Sequence, residues 1–212
     1  LSALFAEAKE EEFNSLFRDG VAWSLLLAVV IMVPMLLSPE VFVNFVYGWT
    51  DKMDAQSLQE IAELTRYAVL VLPIQAFIFM AMAALNARKE TQVNMWISLL
   101  GMVLLVLLSA WAGNQFGLVG VISAIVVALL VIGLGFVGVL NRQGRGIGFS
   151  VWSDFFVGAV VSAFLTTLAL MLGFGDMASL FLLLLTMPLS IAILVLGNKP
   201  FRQRLFVLVS SK

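Results

Sequence analysis

Charged residues divide this chain into long blocks that contain none. The blocks run from Gly20 to Pro39, Tyr67 to Ala87, Thr91 to Asn141, Phe155 to Gly175 and Met177 to Asn198, with lengths of 20, 21, 51, 21 and 22 residues. A helix crossing the hydrocarbon core of a bilayer needs about 20 mainly apolar residues. Four blocks therefore fit one helix each, and the 51-residue block fits two. That block breaks at Gly113-Asn114-Gln115-Phe116-Gly117, a cluster of turn-forming residues. The pattern predicts an all-α, polytopic membrane protein with six transmembrane helices, near 20–38, 66–87, 93–112, 117–140, 153–174 and 177–197.

Three segments outside these spans carry apolar residues on one helical face only. In the cytoplasmic linker 1–19, Phe13, Leu16 and Phe17 recur beside a run of glutamates. The outer segment 54–66 places Leu58, Ile61, Ala62 and Thr65 on one face behind Asp54, a good helix cap. The basic tail 199–212 sets Phe201, Leu205 and Leu208 apart from Arg202 and Arg204, which suits a helix lying on an anionic membrane surface. With Leu rather than Met at position 1, the chain reads as a piece of a longer protein.

Composition agrees with the pattern, since 62% of the residues are apolar and 12% charged. The basic residues then orient the spans. Lys9, Arg18, Arg88, Lys89, Arg142, Arg145, Lys199, Arg202, Arg204 and Lys212 fall on one side, against Lys52 and Arg66 on the other, ten to two. The positive-inside rule puts the richer side, and both termini, in the cytoplasm. Trp23, Trp96 and Trp152 lie near the cytoplasmic ends of spans, and Trp49 and Trp111 near the outer ends, as an aromatic belt requires.

The absence of cysteine and histidine removes disulfides, thiolate nucleophiles, Cys/His zinc sites and the Ser-His-Asp triad. A net charge of -1 gives no reason to expect nucleic acid as a partner. Asp154 and Asp176 flank the fifth span from opposite faces, roughly 30 Å apart across the bilayer, too far for an acid–base pair. No catalytic residue, metal or cofactor is expected. Nor does any Asp, Glu, Lys or Arg sit at the centre of a span, where such a charge costs about 2.5 to 3.5 kcal/mol and is kept mainly for function.

Gly133-Leu134-Gly135-Phe136-Val137-Gly138 matches the dinucleotide fingerprint in letters. That motif works only where a strand turns into a helix, so small residues permitting close helix packing are the better account. Pro34, Pro73 and Pro188 each remove a backbone hydrogen bond inside a predicted helix, as a hinge or a cavity wall would need and as ordinary spans also tolerate. Gln75, Thr166, Thr167, Thr186 and Ser190 are polar at depth and can bond between helices or onto their own backbone. Arg66, Asn86 and Arg88 lie at helix ends, within reach of a phosphate, or as snorkelling anchors. Arg66, Gln75, Asn86 and Arg88 are thus the candidate substrate-binding residues.

Four stretches, in order, resemble the C-terminal part of the MurJ-type lipid II flippases and the polysaccharide (O-antigen type) flippases of the multidrug/oligosaccharidyl-lipid/polysaccharide exporter superfamily. Phe13-Asn14-Ser15-Leu16-Phe17-Arg18-Asp19-Gly20 is similar to the linker that enters the ninth helix of that fold. Asp54 through Tyr67 to Pro73 resembles the outer segment leading into the tenth. Leu85-Asn86-Ala87-Arg88-Lys89-Glu90-Thr91 resembles the aromatic-Tyr-Ala-x-x-Asp-Thr turn between the tenth and eleventh, with Leu85-Asn86 in place of Phe-Tyr and Asn94 in place of a following proline. Gly117-Leu118-Val119-Gly120-Val121-Ile122-Ser123-Ala124 resembles the Gly-x-x-Gly start of the twelfth.

The resemblance implies helices nine to fourteen of a fourteen-helix, two-lobed transporter that carries a polyprenyl-diphosphate-linked sugar across the membrane by alternating access. It implies membrane lipids and the lipid-linked sugar as partners, together with the remaining N-terminal part of the transporter or a second subunit. It also makes the last two helices a groove for the lipid tail, with Phe164, Thr167, Leu184 and Pro188 as candidate lining. Two other readings stand beside it: a non-transporting scaffold subunit of an envelope or polysaccharide assembly complex, and a small-molecule exporter of the same superfamily.

Overall fold

The computed structural model describes residues 10–48, 53–143, 149–171, 185–186 and 188–192. Among them every regular element is helical. Helix α1, Glu10–Leu37, opens with Glu10, Glu11 and Glu12, whose charge suits the positive end of the helix dipole. At 1.5 Å per residue it is about 42 Å long, more than the hydrocarbon thickness, so it carries the residues before Gly20 and the first predicted span as one rod. The short α2, Pro39–Tyr47, follows across Ser38, with proline at its start where a missing N–H costs nothing.

Helix α3, Ala55–Ala68, is capped by Asp54, whose carboxylate accepts from the Ser57 N–H at 2.9 Å. It passes into α4, Val71–Ala87, through a tight turn at Val69 and Leu70. Pro73 explains the break: it has no N–H to give the Val69 carbonyl, which instead accepts from the Leu72 N–H at 3.1 Å.

Helix α5, Thr91–Arg142, is two antiparallel arms joined at Gly117, where φ is 61° and ψ −142°. Only glycine adopts that conformation without strain. The arms close tightly: a Cβ on Gly120 would collide with the Ala112 carbonyl, and one on Gly101 with the Ile132 side chain. In the Gly133–Gly138 stretch, Gly133 faces Ile74 and Phe77 of α4 and Gly135 faces Ile97 of the first arm. These glycines serve helix packing, as the sequence suggested.

Helix α6, Phe149–Met171, lies against α1, and α1 and α5 both pack on α4. The core joins Phe13, Phe17, Val21 and Leu25 of α1 to Phe77, Ala81 and Leu85 of α4, Phe136 and Leu140 of α5, and Val151 of α6. Outward surfaces are apolar instead of polar: Leu100, Met102, Leu107, Trp111 and Leu134 are each more than 60% exposed. That inversion belongs to a protein dissolved in lipid. Four described stretches are long and apolar enough to cross a membrane, and the 52-residue one bends back at Gly117 to cross twice. The protein is a multi-pass membrane protein. The predicted span 177–197 falls mostly outside the described residues, as do Trp49 and the tail 199–212.

Candidate functional site

At the end of the bundle rich in basic residues, the turn between α4 and α5 is set by backbone geometry. The Glu90 N–H bonds the Leu85 carbonyl at 3.0 Å and the Lys89 N–H bonds the Asn86 carbonyl at 3.0 Å, with Lys89 left-handed at φ 62°. These two bonds form a Schellman motif, with lysine where glycine is usual. The motif fixes Arg88 at the helix end and turns its side chain inward. Only 3% of that side chain is exposed.

Arg88 does not stand as a bare cation there. Its Nη2 donates to Glu10 Oε1 at 3.2 Å, and its Cζ lies 4.7 Å from the centre of the Phe13 ring. Phe13 is itself almost fully buried, so the first turn of α1 is fastened to the α4–α5 turn by a charge pair and a cation–π contact. A buried arginine would otherwise carry several kcal/mol of uncompensated desolvation.

A second polar chain runs beside it. Asn94, buried in the first turn of α5, donates from Nδ2 to Asn86 Oδ1 at 3.0 Å, and Ser98 donates to Asn94 Oδ1 at 3.4 Å. Asn86 and Asn94, two of the positions at which this sequence departs from the turn pattern it resembles, bond to each other. Gln143, just past α5, donates to Glu90 Oε2 at 2.6 Å, tying the far end of the second arm to the same turn.

At the opposite end, Arg66 of α3 donates from Nη2 to Glu40 Oε1 of α2 at 2.9 Å, with the two side chains 45% and 53% exposed. The pair joins the two short helices outside the main bundle. Gln75, the third candidate, sits half-buried one turn into α4. Its neighbourhood is apolar along the helix, so it is an isolated polar group at depth.

The structure therefore spreads the four candidate binding residues along α3 and α4. Asn86 and Arg88 meet at the basic end, Arg66 lies at the other, and Gln75 lies between. Glu10, Phe13 and Glu40 were missed by sequence reasoning, because their partners lie 78 and 26 residues away for the two ion pairs. The only available signal was chemical: acids outside the spans facing arginines at helix ends. Of the candidate groove residues, Phe164 is 67% exposed on α6, and Thr167 and Pro188 are also exposed. Leu184 lies outside the described residues. Among the described residues no group of three or more Asp or Glu side chains is placed to hold a metal ion.

The sequence profile of the MatE family matches residues 1–111. No curated protein matches the chain by sequence. A solved structure described as "Lipid II flippase MurJ, inward closed conformation" is similar in fold, with a TM-score of 0.76 and 15% identity over 92% of this chain. The chain spans 41% of the length of that flippase.

Proposed function

The chain belongs to the MatE family, and from that premise we propose that it forms the C-terminal lobe of a flippase-type transporter for a polyprenyl-diphosphate-linked sugar. The observation that carries the proposal is the fold likeness to a lipid II flippase along 92% of the chain, together with the exposed apolar surfaces of its long helices. On this reading the protein sits in a bacterial inner membrane with both termini in the cytoplasm, an orientation favoured by the ten-to-two bias of its basic residues.

Within the proposal, Arg66 and Arg88 are the groups that meet the anionic diphosphate at opposite ends of its path, each as a charge-assisted donor. Arg66 is open to such a ligand beside Glu40, whereas Arg88 reaches it only once Glu10 yields. Asn86 and Gln75 supply neutral hydrogen bonds to sugar hydroxyls. The lipid tail lies along α6, where Val160, Phe164, Leu168 and Met171 form one outward stripe beside Thr167. Pro188, which is exposed, is a further candidate wall of that groove.

The test uses the full-length protein in proteoliposomes loaded with a fluorescent lipid-linked sugar, under an imposed ion gradient or membrane potential. Transport reading predicts movement to the opposite leaflet and photo-crosslinking of the prenyl chain from a probe at Phe164. Folded protein that moves no lipid-linked sugar refutes it. Competition by organic cations in the same vesicles would assign the protein to the small-molecule exporters.

A further inference from the structure

The first arm of α5 carries an outward groove that the transport proposal leaves unused. Leu99, Met102, Val103, Val106 and Leu107 line it, and its volume is about 300 Å³. Val103 and Val106 are shorter than Leu99, Met102 and Leu107 around them, which leaves the depression. The other side of this arm is closed against the second arm, where Gly101 lies against Ile132. All five lining residues are about half exposed or more, so no described element covers them.

One end of the groove is polar and the other is not. Trp96 is 57% exposed and, three residues before Leu99, shares its face, where a tryptophan marks the level of the headgroups. Further toward the basic end, Lys89 and Arg142 are exposed and make no ion pair among the described residues. The 2.6 Å Gln143–Glu90 hydrogen bond brings these cations together, because each is the chain neighbour of one of its partners. Two cations against the Glu90 carboxylate leave that corner positive. At the other end, beside Trp111, the arm supplies no charge, since none occurs from Thr91 to Asn141.

We propose that this face is a binding site for an anionic phospholipid of the leaflet at the basic end. Its phosphate lies between Lys89 and Arg142, its glycerol is level with Trp96, and one acyl chain fills the groove from Leu99 to Leu107. Helical rise places the groove from about 5 to about 16 Å beyond Trp96, which matches the roughly 15 Å that one leaflet gives to the hydrocarbon core. Volume over length gives a cross-section of about 25 Å², room for a single hydrocarbon chain and far too little for a helix about 10 Å across. Cations at a membrane surface favour anionic lipid, and the groove holds what they attract. The site requires a folded chain and lipid, and it stands whether or not the protein is a transporter.

The experiment offers the full chain in detergent an equimolar mixture of phosphatidylglycerol and phosphatidylcholine with identical acyl chains, and reads the retained lipid by native mass spectrometry. The parent should retain phosphatidylglycerol over phosphatidylcholine by about tenfold, the scale expected of two cations at a membrane surface. Lys89→Gln with Arg142→Gln, both at exposed positions, should fold and bring the two lipids to within about threefold. Val106→Trp fills the groove from an outward position, so it should keep the parent's thermal midpoint and retain less of both lipids. Excess glycerol phosphate should leave the bound lipid in place, because it offers the groove nothing.

Equal retention of the two lipids by the parent would overturn the proposal. So would a preference that survives the double glutamine variant, the result expected if Arg202 and Arg204 of the tail gather the lipid. Unchanged lipid retention by a folded Val106→Trp variant would remove the groove from the site. Displacement by glycerol phosphate would leave a phosphate site that needs no lipid.

Discussion

Two arginine–glutamate pairs stand at opposite ends of this bundle and make the same contact in different surroundings. Arg88 and Glu10 meet at 3.2 Å with the guanidinium buried against Phe13, whereas Arg66 and Glu40 meet at 2.9 Å with both side chains about half exposed. The shorter contact is the weaker one in stability, because exposed pairs are screened and pay side-chain entropy. Distance alone ranks them wrongly; burial ranks them correctly. The basic end is thus the rigid end, and the opposite end is held by replaceable surface contacts.

The largest effect should come from breaking the buried pair. Arg88→Ala removes the cation, its contact with the Phe13 ring and the packing of a nearly fully buried side chain, and should cost about 2 kcal/mol. Arg66→Ala should cost less than about 1 kcal/mol, falling further in high salt. Chemical denaturation in detergent measures both. Equal costs for the two variants would remove the burial argument.

The next effect tests the neutral chain beside Arg88. Asn86→Ala leaves the amide of buried Asn94 without its acceptor at 3.0 Å and should cost about 1 to 2 kcal/mol. Asn86→Ala combined with Asn94→Leu should recover most of that loss, because the polar group that needed a partner is gone. A double variant no more stable than the single one would show that the pair matters for another reason. Smaller still, and of opposite sign, is Lys89→Gly. At φ 62° a lysine is strained by about 1 kcal/mol and glycine is not, so the variant should raise the thermal midpoint by a few degrees.

Much of this contrast could be read from the sequence, and the rest could not, for definite reasons. The spans were legible because hydrocarbon excludes charge, which makes the gaps between charged residues a physical ruler. The reversal at Gly117 lies inside the turn cluster because a non-glycine residue is strained there. The Asp54 cap was legible because capping is local. The Arg88 pair was not, since nothing within a turn of Arg88 announces Glu10, and the contact forms only after α1, α4 and α5 have packed. The passage of α1 through residue 19 without interruption has a similar cause. Charge bars a residue from hydrocarbon but not from a helix, so Asp19 marks the edge of the membrane and leaves the rod unbroken.

The last and smallest effect concerns the exposed end, where acid should loosen α3 from its first turn. The Asp54 carboxyl is held below its ordinary value of 3.8, first by the Ser57 hydroxyl and next by the Ser57 N–H that donates to it. A depressed carboxylate stabilises the fold fully above its unfolded value, and that contribution fades as pH falls through the lowered folded value. Protection of the Ser57 amide against hydrogen exchange, corrected for intrinsic exchange chemistry, should therefore hold from neutral pH down to about 4 and decline below it. Asp54→Asn keeps a capping oxygen without a titrating group. Its protection should stay flat through the same range. The same acid-induced decline in the asparagine variant would show that the pH sensitivity does not come from the Asp54 cap.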